Sequence, residues 1–185
     1  MLAFSALHFE NYPAGSPLVG DIFADQHFLT SPKIQAEIQA HYGCSGSEGL
    51  ELEDQDGTII SSHWEFHNLA TDYMIANSRK QASMSRFTLA LFDSTGWYFD
   101  VDYSYADPTL WGKNKGCAFK NIDNCEFEEF CDGSGFDYDW DCTAHGRCAS
   151  YSLAGTCKVI TYYGNTVCID ENYEQRNINA NLYAN

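Results

Sequence analysis

Apolar residues recur at helical spacing in two places along this chain. After Ser31-Pro32, Ile34 and Ile38 lie one turn apart, with Ala36 and Ala40 alongside, and the run stops at Gly43. A serine N-cap, a proline at the first helical position and a glycine past the last turn mark the boundaries of a helix. The two isoleucines should face the core, with the two alanines filling in. A second helix is predicted to start at Ser83 or Ser85 and to stop at Gly96, with Phe87, Leu91 and Met84 on one stripe. Elsewhere the period shortens. Residues 6–30, rich in proline and glycine, read as a loop with one short strand around Leu18 to Phe23. Thr58-Ile59-Ile60 is a β-like run, and Trp97 to Tyr105 alternates aromatics with Asp100 and Asp102, which suits an extended segment half-buried against the second helix. Val159 to Tyr163 and Thr166 to Ile169 flank Gly164-Asn165 and predict a β-hairpin with a two-residue primed turn.

Composition adds a division. Seven of the eight cysteines follow residue 116, and from Trp111 onward glycines multiply while aliphatic runs thin out. The predicted fold class is therefore α+β, with residues 1–110 as a helix-bearing subdomain and 111–185 as a cysteine-rich module held by disulfides more than by a core. The intervals Cys117-x₇-Cys125-x₅-Cys131 and Cys142-x₅-Cys148-x₈-Cys157 contain no close zinc-finger pair. Eight cysteines allow about 105 full pairings, so connectivity stays open, as does the choice between a long-range bridge and a buried thiol for Cys44. Such cysteine usage implies an oxidising compartment, extracellular or at the cell surface. A net charge of −16 repels phosphates and anionic lipid and argues against a nucleic-acid partner.

The acidic clusters carry no support for a calcium site. Glu51, Glu53, Asp54 and Asp56, ending at Gly57, read as a solvated turn. Asp137, Asp139 and Asp141 start like a calcium loop, but Cys142 and Cys148 stand where glycine and glutamate are required. His8 and His27 read as ordinary loop contacts.

The chemistry centres on Ser62-His63-Trp64-Glu65-Phe66-His67, followed by Met74 eleven positions after the first histidine. On a helix, His63 and His67 would share a face, with Glu65 directed away. Taken alone, the pair fits a surface helix with two solvated histidines better than a metal site.

The surrounding blocks change that reading. Gly43-Cys44, Glu48 to Gln55, Ser62 to Glu65, Met74, Phe87 to Tyr98 and Trp111 to Phe119 resemble, in order and spacing, the leishmanolysin family of zinc metalloendopeptidases. The resemblance covers about residues 28–160. In that metzincin family, two zinc histidines and the catalytic glutamate lie in an HExxH helix, and the third histidine stands later, in a Ser-His-Trp-Glu setting followed by the Met-turn. Residue by residue, the resemblance implies that His63 is the third zinc ligand and that Met74 is the Met-turn. It gives His67 no ligand role.

No HExxH occurs in the 185 residues, so no catalytic general base is assigned in this chain. Met1 to Ser5 is similar to the run that follows the second zinc histidine in the family, with Ala3 where a glycine normally turns the chain. The expectation is a chain that begins just past the second ligand, with two further histidines upstream completing one Zn²⁺ site. Three points agree with it: there is no secretory signal at the start, no apolar stretch of bilayer-spanning length, and a polar segment over 177–185. The implied activity is hydrolysis of protein or peptide bonds by zinc-activated water, with the full-length protein at the cell surface or membrane. The alternative is a non-catalytic binding or adhesion module on a degenerate protease scaffold.

Overall fold

The computed structural model describes residues 4–5, 7–19, 26–53, 62–77, 82–131, 147–150 and 152–161. It divides into two units, 1–124 and 125–185.

In the first unit a 3-10 turn (Phe9–Asn11) precedes β1 (Leu18–Val19), which pairs antiparallel with β2 (Phe28–Leu29). Helix α1 (Pro32–Tyr42) follows. Ser31 Oγ accepts the Ile34 amide at 3.0 Å, and Gly43 closes the helix in the left-handed region at φ 74°. Ile34 and Ile38 are wholly buried, as expected, but Ala36 and Ala40 are exposed. At 100° per residue, Ile34, Glu37, Ile38 and Tyr42 form one stripe, and the alanines fall about 200–240° from Ile34. The residues that share the buried face are therefore Glu37 and Tyr42.

Strand β3 (Leu50–Glu51) completes a three-stranded sheet in the order β1-β2-β3. Glu51 and Glu53 are buried and so do not belong to a solvated acidic turn. Glu51 lies in the sheet, accepts Gln26 Nε2 at 2.9 Å, and its carbonyl receives the Glu65 amide. Asp54 to Ile60, including the Thr58-Ile59-Ile60 run, lies outside the described residues.

After the short helix α2 (Phe66–Leu69), helix α3 (Arg86–Ser94) starts from Ser85, whose Oγ accepts the Thr88 amide at 3.3 Å. Phe87 and Leu91 are buried as predicted, and Gly96 follows the helix at φ 77°. Met84 precedes the cap and so is off the helical stripe. Helix α3 packs on α1. Across that contact Arg86 grips Glu37 through two bonds of 2.8 and 2.9 Å, and the Ser31 and Ser94 hydroxyls meet at 2.6 Å.

The extended, half-buried segment from Trp97 to Tyr105 is not formed. Asp100 turns the backbone at φ 55°, and Asp102 caps a 3-10 turn over Tyr103–Tyr105 by accepting the Ser104 amide. Phe99 and Tyr105 are left largely exposed. Aspartates that bond to nearby amides favour turns over strand pairing, and that overrides the alternation.

Cys44 is bonded to Cys117 across 73 residues, which settles the open choice in favour of a bridge. Closing a loop of that length stabilises the fold by about 4 kcal/mol on the chain-entropy model. Gly112, at φ 70°, lets the 111–116 turn come down on the rings of Phe119 and Tyr42.

In the second unit β4 (Arg147–Ser150) pairs antiparallel with β5 (Lys158–Thr161), with Cys148 opposite Ile160. Disulfides Cys125–Cys157 and Cys131–Cys148 hold it. The strand partner predicted at 166–169, the acidic run 137–141, Cys142, Cys168 and the start at Met1–Ala3 lie outside the described residues.

Candidate functional site

The segment after residue 61 is not a surface helix. His63 precedes the helix, whereas His67 lies inside α2, so the two do not share a helical face. Glu65 caps α2 by accepting the His67 amide at 3.0 Å, and its carboxylate is buried there. His67 is wholly buried, not solvated. Its Nε2 lies 2.8 Å from the Phe119 carbonyl, and a carbonyl only accepts, so Nε2 carries the proton. The His67 carbonyl receives Trp111 Nε1–H at 2.8 Å, and that of Asn68 receives the Tyr42 hydroxyl at 2.8 Å. Burial pushes the His67 pKa down to about 4, with the Phe119 hydrogen bond opposing the shift. This imidazole is a neutral core group that ties α2 to the 111–120 segment.

His63 is half-buried, and its carbonyl accepts the Glu53 amide at 3.0 Å. Desolvation lowers its pKa, so the ring is neutral at neutral pH, the form that can offer a lone pair to a metal. The chain then returns to it. The Trp64 amide donates to the Met74 carbonyl at 2.8 Å, and Trp64 bridges Ile75 in parallel and Leu52 in antiparallel fashion. The backbone of Met74 thus runs beside the residue that follows His63.

Asp72 holds this arrangement. Its Oδ1 accepts the Met74 amide at 2.6 Å, its Oδ2 accepts the Ser85 amide at 3.1 Å, and the Thr88 hydroxyl donates to the same carboxylate at 2.9 Å. Thr88 Oγ1 in turn accepts Trp64 Nε1–H at 2.9 Å. One buried carboxylate therefore fastens the turn at Met74 to the cap of α3 and, through Thr88, to the indole next to His63. Burial raises its pKa, and these bonds pull it back. Both oxygens are occupied by these bonds, so Asp72 is an anchor of the fold. The pattern Asp72-x-Met74 is an Asx-type turn legible in the sequence, but the reach to Thr88 across 16 residues is not.

His63 is a half-buried imidazole whose pKa is lowered by desolvation, which is chemically compatible with a metal-binding group. Among the described residues, no group of three or more histidines, cysteines, aspartates or glutamates gathers as a metal site. His8 is exposed and His27 is buried beside β2.

A sequence model of the family described as leishmanolysin matches residues 2–174, and the chain belongs to that family of metallopeptidases. It is 43% identical over 93 residues to the leishmanolysin-like peptidase of Drosophila melanogaster, covering 49% of this chain and 13% of that protein. The human ciliated left-right organizer metallopeptidase is 32% identical over 140 residues, covering 72% of this chain and 18% of that protein. Leishmanolysin of Leishmania donovani is 36% identical over 96 residues, covering 51% and 16% respectively. The matched stretches amount to less than a fifth of these relatives' own lengths.

Proposed function

We propose that this chain is the C-terminal part of the catalytic region of a metzincin-type zinc metalloendopeptidase. In this reading His63 would be the third protein ligand of the catalytic zinc, and Met74 would form the Met-turn. The observation that carries this reading is the 2.8 Å bond from the Trp64 amide to the Met74 carbonyl, which sets the two candidate residues on adjacent backbone segments. Zinc with three protein ligands supplies an acidified water and polarises the scissile carbonyl.

This chain's residues have supporting roles. His63 offers a neutral imidazole at neutral pH. Met74 provides a soft apolar floor, held at its amide by Asp72. Glu65 is committed to the start of α2 and does not serve as general base. We assign that base and two further histidines to an HExxH helix, a pattern absent from the 185 residues. The substrates are proteins or peptides, and the three disulfides among the described residues suit an extracellular or cell-surface setting.

The test compares the 185-residue chain with a longer polypeptide in which an HExxH helix precedes it. The chain alone should neither retain zinc through dialysis nor cleave casein, and the longer form should do both. Chelator-sensitive cleavage by the chain alone would overturn the ligand assignment. A folded longer form without zinc or cleavage would favour a non-catalytic binding module.

A further inference from the structure

A cavity of about 280 Å³ opens between α1, the start of α3 and the segment 103–113, and neither His63 nor Met74 lines it. Phe87, Ala40 and Pro108 give it an apolar wall. Two carboxylates and three basic side chains reach its edge, and hydrogen bonding decides which remain available. Glu37 is spent on Arg86, both oxygens at 2.8–2.9 Å. Asp107 Oδ2 accepts the Met84 amide at 2.8 Å. His41 Nε2 donates to the Trp111 carbonyl at 2.8 Å, and burial keeps that ring neutral. Two donors are left. The Lys113 ammonium makes no hydrogen bond or ion pair among the described residues, and Arg86 Nη1 lies outside the fork on Glu37. The guanidinium sits 4.7 Å over the Tyr103 ring, which fixes its plane.

We propose that this cavity binds the C-terminal carboxylate of a peptide whose last residue is apolar. The carboxylate would meet Lys113 and Arg86 Nη1, and the side chain would lie against Phe87. A terminal residue presents charge and side chain from one Cα, so it answers both walls of a cavity this small. An acidic side chain would satisfy only the charged edge. The negative charge that remains on Asp107 keeps the affinity modest, with a Kd of about 1 mM. The proposal stands independently of the zinc assignment, so its failure would leave His63 untouched.

The test is an NMR titration of the 185-residue chain with N-acetyl-L-phenylalaninate at neutral pH. Saturable shifts are expected in residues lining the cavity. The uncharged amide of the same compound, and N-acetyl-L-glutamic acid α-amide, should each bind about tenfold more weakly or not at all. Lys113→Gln, an exposed change, should weaken the carboxylate about tenfold. Ala40→Phe, on the exposed flank of α1, should block the cavity without removing a charge. Absence of saturation up to about 20 mM, equal binding of the amide or of the glutamate compound, or indifference to both substitutions in folded protein would overturn it.

Discussion

Replacing Asp72 with alanine tests the anchor beneath the candidate site. The carboxylate is buried and receives the Met74 amide, the Ser85 amide and the Thr88 hydroxyl. Its loss strands two backbone donors and frees a hydroxyl that also holds the Trp64 indole. A stranded buried donor costs about 1–3 kcal/mol. Some of that cost is returned, because burial already disfavours the charged carboxylate and raises its pKa. The net loss should be about 3 kcal/mol, or about 6–12 °C in Tm for a chain of this size. Asp72→Asn keeps one acceptor for the Met74 amide but sets an NH₂ group against another donor, so it should fall between alanine and wild type. Urea unfolding followed by tryptophan fluorescence measures both. A loss below about 1 kcal/mol for Asp72→Ala would refute the anchor, since that is no more than one ordinary hydrogen bond contributes.

His67 gives a pH signature. Its folded pKa of about 4 lies below the unfolded value, so the unfolded chain takes up this proton first as pH falls below about 6.5. The contribution is fully present above pH 6.5 and drains at up to ~1.4 kcal/mol per pH unit, about 3 kcal/mol in all by pH 4. His67→Gln should flatten that part of the stability profile, and unchanged slopes in paired urea titrations would count against it. Asp72 titrates in the opposite sense and is present in both proteins, so the difference isolates His67. Gly112→Ala should cost about 2–4 kcal/mol in the same assay, because a Cβ there would stand 2.8 Å from Tyr42 Cε1 and also strike Phe119, in a left-handed backbone. A cost near zero would mean that the 111–116 turn relaxes freely.

The sequence pattern placed α1 and α3 well because their boundaries are local chemistry: Ser31, Pro32 and Gly43 for one, Ser85 and Gly96 for the other. What it misjudged was tertiary. Ala36 and Ala40 look like core until the angle of Glu37 and Tyr42 is known, and Glu37 is buried only because Arg86 reaches it from α3. Glu51 looks solvated until β3 takes it into a sheet. His67 looks solvated in the sequence because the environment that buries it is built by Trp111 and Phe119, more than 40 residues away. At the candidate site, His63 and Met74 are singled out by a resemblance spread over several blocks, and the Asx-type turn at Asp72 is local, whereas the reach of Asp72 to Ser85 and Thr88 is tertiary and has no sequence signal.

The most direct measurement is metal stoichiometry in the longer polypeptide that carries an HExxH helix. Zinc per chain would be determined after dialysis, with folding verified by far-UV circular dichroism. His63→Ala should abolish stoichiometric zinc, and His67→Gln should leave it nearly unchanged at pH 7.5. Equal loss from both substitutions, or full zinc retention in the folded His63→Ala protein, would contradict the assignment of His63 as the ligand.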